Sequence, residues 1–132
     1  MTRRRAPDTN LVVRLLVDDD PAQTRAAVQF FAMGAAFFSV TVLLETEWVL
    51  RANYHRTRAE IAHAIRQLMA LPNAATEDEP NLARAVDWYA KGWDFADALH
   101  LARLPRDADF VSFDRKLVKR AQRLGLPVLL PG

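Results

Sequence analysis

The chain has 132 residues, 51% hydrophobic and 26% charged, which gives one globular domain over residues 1–132 with an ordinary core and excludes intrinsic disorder. It contains no cysteine, so disulfides, thiolate zinc sites, iron–sulfur clusters and cysteine nucleophiles are excluded, and any metal site must be built from oxygen or histidine. A net charge of +2, with fifteen arginines against three lysines, is too small to argue for a nucleic-acid partner by itself.

The start, Met1-Thr2-Arg3-Arg4-Arg5-Ala6-Pro7, is basic and leads into no apolar stretch. The one long uncharged run, Ala26–Leu44, is divided at Gly34 between a helix and a short strand, so neither a targeting segment nor a membrane span is predicted, and a cytoplasmic location is expected. These first residues are the only candidate strand before a helix that spacing predicts over Leu11–Val17. Asp20 as N-cap and Pro21 at the first helical position open a second helix that ends near Gly34. The acid run Asp18-Asp19-Asp20 is thereby read as a capped loop. Ala35–Val40 is predicted as a buried strand and Thr41–Tyr54 as a helix.

On that helix, steps of 100° place Glu45 among Val42, Trp48, Val49 and Ala52, whereas Glu47 falls beside Arg51 on the one charged sector. Glu45 is therefore expected to look inward as a site residue, and Glu47 to form half of an exposed i,i+4 pair. Thr57-Arg58-Ala59-Glu60 is a capping box for a helix running to about Leu71. His55 and His63 have no second histidine at i+4 and are read as surface residues. Ala74–Glu77 is a short strand, and Asp78–Ala90 a helix with Leu82, Val86 and Tyr89 inward.

The most informative stretch follows: Trp93-Asp94-Phe95-Ala96-Asp97-Ala98-Leu99-His100-Leu101-Ala102. Gly92 stops the preceding helix and Asp94 can cap the next. Asp97 shares a helix face with Asp94, so the two carboxylates repel, and the apolar neighbours leave Asp97 little polar surface. A buried carboxylate needs a partner, and a hard cation is one. His100 lies one turn on from Asp97 and is read as a packing residue. Asp109–Asp114 is then a strand ending in an acid, Arg115–Leu124 a helix capped by Gly125, and Val128–Leu130 a last strand.

Short apolar runs alternating with amphipathic ones define an α/β domain with a mainly parallel sheet, whose functional crevice lies beyond the carboxyl ends of the strands. Asp114 occupies such an end, and Asp8 occupies another if the residues before it form a strand; each also has the alternative reading of N-cap of its following helix, which would not exclude metal binding. Four acids, Asp8, Glu45, Asp97 and Asp114, thus arrive from separate parts of the chain at positions that local structure does not require.

The blocks Asp8-Thr9-Asn10-Leu11-Val12-Val13-Arg14-Leu15-Leu16, Leu43-Leu44-Glu45-Thr46-Glu47-Trp48-Val49-Leu50-Arg51, Asp94-Phe95-Ala96-Asp97-Ala98-Leu99 and Val111-Ser112-Phe113-Asp114-Arg115-Lys116 resemble the four signature blocks of the PIN-domain nucleases, in particular the VapC toxins of bacterial toxin–antitoxin pairs. The resemblance covers nearly the whole chain in the right order. It implies a three-layer α/β/α sandwich on a central, mainly parallel sheet, and a magnesium-dependent endoribonuclease site in which manganese can substitute. The catalytic, metal-holding acids it implies are Asp8, Glu45, Asp97 and Asp114, with Asp94 as an accessory and Asn10 and Ser112 orienting the site. Its implied partners are an RNA substrate, a VapB-like antitoxin whose tail covers the acidic pocket, and a second copy of the chain in a homodimer. One departure is the first strand, normally apolar in the family and here Arg3-Arg4-Arg5-Ala6-Pro7, in which Pro7 cannot donate to a ladder.

Magnesium chemistry fits the acids on its own terms, since the ion prefers carboxylate and water oxygens and can polarise a phosphodiester and supply hydroxide. Ser39 and Ser112, the only serines, lie in no nucleophile-elbow context, and four scattered glycines build no phosphate loop. Lys116, Lys119, Arg120 and Arg123 form a basic stripe opposite Leu117, Val118, Ala121 and Leu124, a candidate phosphate-holding face leading away from Asp114. Two other readings share these residues: a PIN-type nuclease of housekeeping RNA or DNA processing, and an inactive binding module.

Overall fold

A computed structural model describes residues 3–132; Met1 and Thr2, the first two residues of the basic start, lie outside the described residues. Along them run α1 (Thr9–Leu16), α2 (Pro21–Ala32), β1 (Phe37–Phe38), α3 (Val40–Ala52), α4 (Arg58–Met69), β2 (Ala75–Thr76), α5 (Glu79–Ala90), α6 (Phe95–Ala102), β3 (Phe110–Val111), α7 (Arg115–Arg123) and β4 (Val128–Leu129).

The helix starts follow local chemistry. Side-chain oxygens of Asp8, Asp20, Ser39, Thr57, Asp94 and Asp114 each accept a hydrogen bond from a backbone N–H of the first turn they precede. Thr57 and Glu60 complete the expected capping box. Asp78 does not cap α5: it sits in the left-handed region at φ 53° and makes no side-chain cap bond. Its carboxylate instead accepts from Asn81 and from Arg103 Nε at 3.1 Å.

The strands are parallel, as expected, but only two residues long. β1 pairs with β2, Phe37 beside Ala75 and Phe38 beside Thr76, and β3 pairs with β4, Phe110 beside Val128 and Val111 beside Leu129. Arg5 bridges Ala36 in parallel on the other side of β1, with Phe37 N donating to Arg5 O at 2.9 Å. Among the described residues no ladder joins the two pairs into one sheet. The arginine-rich start can enter a ladder because aromatic faces take its charges. Arg4 lies over the Phe37 ring at 4.4 Å and Arg5 over Phe30 at 4.3 Å, and Arg5 Nη2 donates to the Phe30 carbonyl at 2.8 Å, near the C-terminal end of α2. Pro7 falls after the paired residue and costs no bond.

The core joins Val12 and Val13 of α1, Phe38 of β1, Leu43 and Leu50 of α3, Ile61 and Ile65 of α4, Leu82, Val86 and Tyr89 of α5, and Phe95, Ala98 and Leu99 of α6. Residues of this size contribute about 1.5–3 kcal/mol each when fully buried. The longest helix has 13 residues, and none among the described residues is long and apolar enough to cross a membrane.

The rotation of α3 differs from the sequence reading. Val40, Leu43, Thr46, Glu47 and Leu50 are its buried residues, whereas Glu45 is exposed and Trp48 is 54% exposed. Glu47 retains only 4% exposure. It is paired with Arg51 as expected, Arg51 Nε donating to Glu47 Oε2 at 2.8 Å, but Tyr89 Oη donates to the same oxygen at 3.0 Å from inside the core. Burial, and then the Glu47 charge, push the Tyr89 phenol far above the usual tyrosine range. Tyr89→Phe leaves Glu47 with Arg51 alone, and the expected loss is about 1–3 kcal/mol of unfolding free energy, measured by urea denaturation. A change under the error of the measurement would show that the Glu47 carboxylate does not depend on Tyr89.

Candidate functional site

Asp8 stands three residues beyond the Arg5 bridge, at the entrance of α1, and accepts from Leu11 N at 2.9 Å through one oxygen, Oδ1. The next residue, Thr9, donates its hydroxyl to Glu45 Oε1 at 3.2 Å. Glu45 therefore reaches the N-terminus of α1 from the exposed side of α3; it does not enter the core. Thr9 carried no signal in the sequence beyond its place after Asp8.

The second pair of acids is built on the α5–α6 turn and the end of β3. Gly92, at φ 109°, lets the chain leave α5 in a conformation that other residues rarely adopt. Arg58 of α4 clasps this turn, its Nη1 donating to the carbonyls of Tyr89 at 2.8 Å and Trp93 at 2.7 Å while its guanidinium lies over the Tyr89 ring. Asp94 then caps α6, its Oδ2 accepting from Asp97 N at 3.0 Å. Beyond β3, Ser112 Oγ accepts from Asp114 N at 3.0 Å and fixes the backbone from which Asp114 Oδ1 accepts from Leu117 N at 3.0 Å. Asn10 is exposed and lines a cleft with Asp8, Leu11 and Arg14.

Asp97 is the acid whose surroundings disfavour its charge. Burial raises its pKa first, the Asp94 carboxylate adds to this, His100 opposes it, and Asp114 raises it further. The structure thus brings Asp94, Asp97 and Asp114 into electrostatic contact and ties Glu45 to the segment of Asp8. Glu45 and Asp94 line one cleft of about 520 Å³ between α3 and α6, which links the two halves. His100, read as packing, is exposed and stacks on Phe110 with ring centroids 5.8 Å apart.

Could these residues hold a metal? Their chemistry suits a hard divalent cation: all are carboxylates, and among the described residues none of Asp8, Glu45, Asp97 and Asp114 forms an ion pair. The helix caps occupy one oxygen each of Asp8 and Asp114 and leave the other. Their arrangement is open, since no three His, Asp or Glu groups among the described residues are gathered closely enough to enclose an ion.

The basic stripe needs one correction. Lys116, Lys119 and Arg123 are exposed, but Arg120 is committed inward: its guanidinium lies over the Trp93 ring at 4.6 Å, and Nη2 donates to Lys91 O at 3.0 Å. Arg120 thus closes the C-terminal end of α5 beside Gly92.

Short parallel strands among helices, with carboxylates at strand ends and helix starts, define an acid-lined α/β protein. The PIN domain matches residues 6–124 of the chain, which therefore belongs to the PIN domain family. PIN domains are generally nucleases, that is, hydrolases, and the match supports that class for this chain. No curated protein matches the sequence at a significant level.

Because the fold disfavours the Asp97 charge, ionising it costs stability as pH rises through its raised folded value, and the cost is absent below the usual carboxylate range. Asp97→Asn in a chelating buffer is therefore expected to raise the thermal midpoint at pH 7, with the gain shrinking as pH falls through the acid range. A midpoint lowered at pH 7 would mean that the carboxylate has stabilising partners instead.

Proposed function

We propose that the protein is a magnesium-dependent endoribonuclease, a single PIN domain built on one central parallel sheet between helical layers, acting as the toxin of a bacterial VapBC-type pair. The observation that carries the reading is Asp97, partly buried among like charges from Asp94 and Asp114, opposed only by His100 and held in no ion pair among the described residues. Asp8, Glu45, Asp97 and Asp114 would hold the ion, with manganese able to replace magnesium. When bound, a divalent cation supplies charge to the phosphodiester oxygens and acidity to a water nucleophile.

The rest falls to the chain's own residues. Thr9 orients Glu45, Ser112 fixes the backbone of Asp114, and Asp94 holds the first turn of α6 that carries Asp97. Lys116, Lys119 and Arg123 would meet RNA phosphates beyond the acids. The reading carries a cytoplasmic location, a homodimer, and a VapB-like antitoxin that covers the acidic pocket.

Incubation of the purified chain with total RNA should give cleavage that requires magnesium and is abolished by Asp97→Asn. Growth arrest on expression of the chain alone, relieved by co-expressing a small protein encoded next to it, is expected of a toxin. Full activity in the Asp97→Asn variant would overturn the site, and harmless expression of an active nuclease would point to housekeeping processing.

The exposed part of the stripe is tested with Lys116→Gln/Lys119→Gln in the Asp97→Asn background, leaving Arg120 in place because its loss would loosen the α5–α6 turn. RNA affinity should fall, and the slope of its logarithm against log salt should flatten by about one to two units. An unchanged slope would leave those lysines as a solvated face.

A further inference from the structure

We propose that the cleft between α3 and the start of α6 is a guanine-selective base pocket, with Trp48 as its stacking wall and Arg51 and Asp94 as its hydrogen-bonding edge beside Glu45. The inference rests on the ribonuclease reading for the nature of the substrate and goes beyond it in naming the base recognised. The cleft measures about 520 Å³ and is lined by these four residues together with Glu47, Ala96 and short apolar side chains of α3. That volume is in the range of small-molecule pockets, about 300–1,000 Å³.

Trp48 is 54% exposed although α3 has an ample buried face. Leaving an indole in water forfeits much of the stability that its burial would give, whereas a concave wall of this kind suits a flat aromatic ligand. Stacking alone accepts any base, so selection must come from the polar groups. Arg51 is held through Nε and Nη2 by Glu47, at 2.8 and 3.4 Å, and Tyr89 anchors Glu47 in turn. The guanidinium is therefore fixed in the cleft wall, with its Nη1 donors uncommitted among the described hydrogen bonds. Glu45 uses Oε1 for Thr9 and Asp94 uses Oδ2 for Asp97 N, which leaves one acceptor oxygen on each.

A fixed guanidinium and a carboxylate oxygen lining one cleft match guanine best among the four bases. Guanine presents O6 and N7 to an arginine, and its adjacent N1–H and N2–H₂ groups to a carboxylate. Adenine and cytosine bring one amino group beside acceptors that carboxylates would repel, and uracil brings a single N–H between two carbonyls. Glu45, assigned to the ion, lines the same cleft, so a base held by Arg51 and Asp94 would lie next to the bond to be cut.

The test uses neutral nucleosides in a chelating buffer, so that neither metal nor phosphate contributes. Titration of the full chain with guanosine should quench tryptophan emission, since Trp48 is far more exposed than Trp93. Guanosine is expected to bind about tenfold tighter than adenosine, cytidine or uridine. By equilibrium dialysis, Trp48→Ala should weaken guanosine binding about tenfold or more, while Trp48→Phe should stay within about threefold of the native chain. In the active protein, cleavage sites mapped on a long RNA should cluster beside guanosines, and Trp48→Ala should spread them over all bases. Equal affinity for the four nucleosides, or guanosine binding unchanged by Trp48→Ala, would overturn the pocket. So would a Trp48→Ala variant that alters oligomeric state by gel filtration and leaves guanosine binding intact, because Trp48 would then serve a protein contact. Guanosine selection in a chain that cleaves no RNA would overturn the ribonuclease reading and keep the pocket, and RNA cleavage without guanosine preference would do the reverse.

Discussion

A buried carboxylate sets the geometry around it. Glu47 has almost no contact with solvent, so its charge must be met within the protein, and Arg51 and Tyr89 are the groups that meet it. Arg51 comes from the same helix and is half-exposed, so the bond that anchors α3 against α5 is the one from Tyr89. Once Glu47 points at α5, the 100° step of the helix turns Glu45, two residues back, to the other side, where it meets Thr9 at the start of α1. The same rotation brings Trp48 and Arg51 to the cleft that Asp94 and Ala96 complete from α6. One unavoidable pairing in the core therefore fixes which groups of α3 are offered to the site.

A second constraint acts on the turn that carries Asp94. A tight connection between two helices leaves acceptor capacity on the carbonyls at and beyond the end of the first, and here arginines from two other helices take it up. Arg58 of α4 receives the carbonyls of Tyr89 and Trp93, and Arg120 of α7 receives that of Lys91. Each guanidinium also lies on an aromatic face, Arg58 on Tyr89 and Arg120 on Trp93. Tyr89 thus serves both constraints, through its hydroxyl toward Glu47 and through its ring and carbonyl toward Arg58. The positions of Glu45 and Asp94 are coupled through that one residue.

These two constraints also explain what the sequence could and could not disclose. Helix starts were legible because a cap is a local event: Asp20-Pro21 and the Thr57–Glu60 box act within one turn and need nothing from elsewhere in the chain. The parallel pairing of β1 and β2 followed from the alternation of elements, but the strand lengths did not, because pairing ends where Ser39 and Glu77 turn toward α3, with Val40 N donating to Glu77 Oε1 at 2.9 Å. The rotation of α3 was misread for a physical reason. Its sequence is apolar nearly all round, so Arg51 alone seemed to mark the solvent side, whereas Arg51 stands beside the buried Glu47 and partly shields it. Arg120 misled in the same way, as a cation on an amphipathic stripe whose charge is spent on a carbonyl and an indole. The basic first strand departed from the family pattern, yet Arg5 pairs, because Phe30 and Phe37 supply the faces that let guanidiniums lie along a strand.

Three of the acids are helix caps, and that role supports the chemistry. A carboxylate has two oxygens and about four lone-pair directions, and capping takes one oxygen. Asp8, Asp94 and Asp114 each spend one on a backbone N–H, which fixes the side chain and leaves the second oxygen available. The N-termini of α1, α6 and α7 each carry a partial positive charge, which lowers the cost of placing acids near one another. Asp97 differs, because it sits inside the first turn of α6 and makes no capping bond of its own, and it is there that burial and the neighbouring charges push the carboxyl toward its neutral form. The fold thus offsets the repulsion of its acids at three helix starts and leaves it concentrated on Asp97. Asp97 is therefore the acid whose charge its surroundings support least, while Asp94 and Asp114 beside it are held in place by their caps.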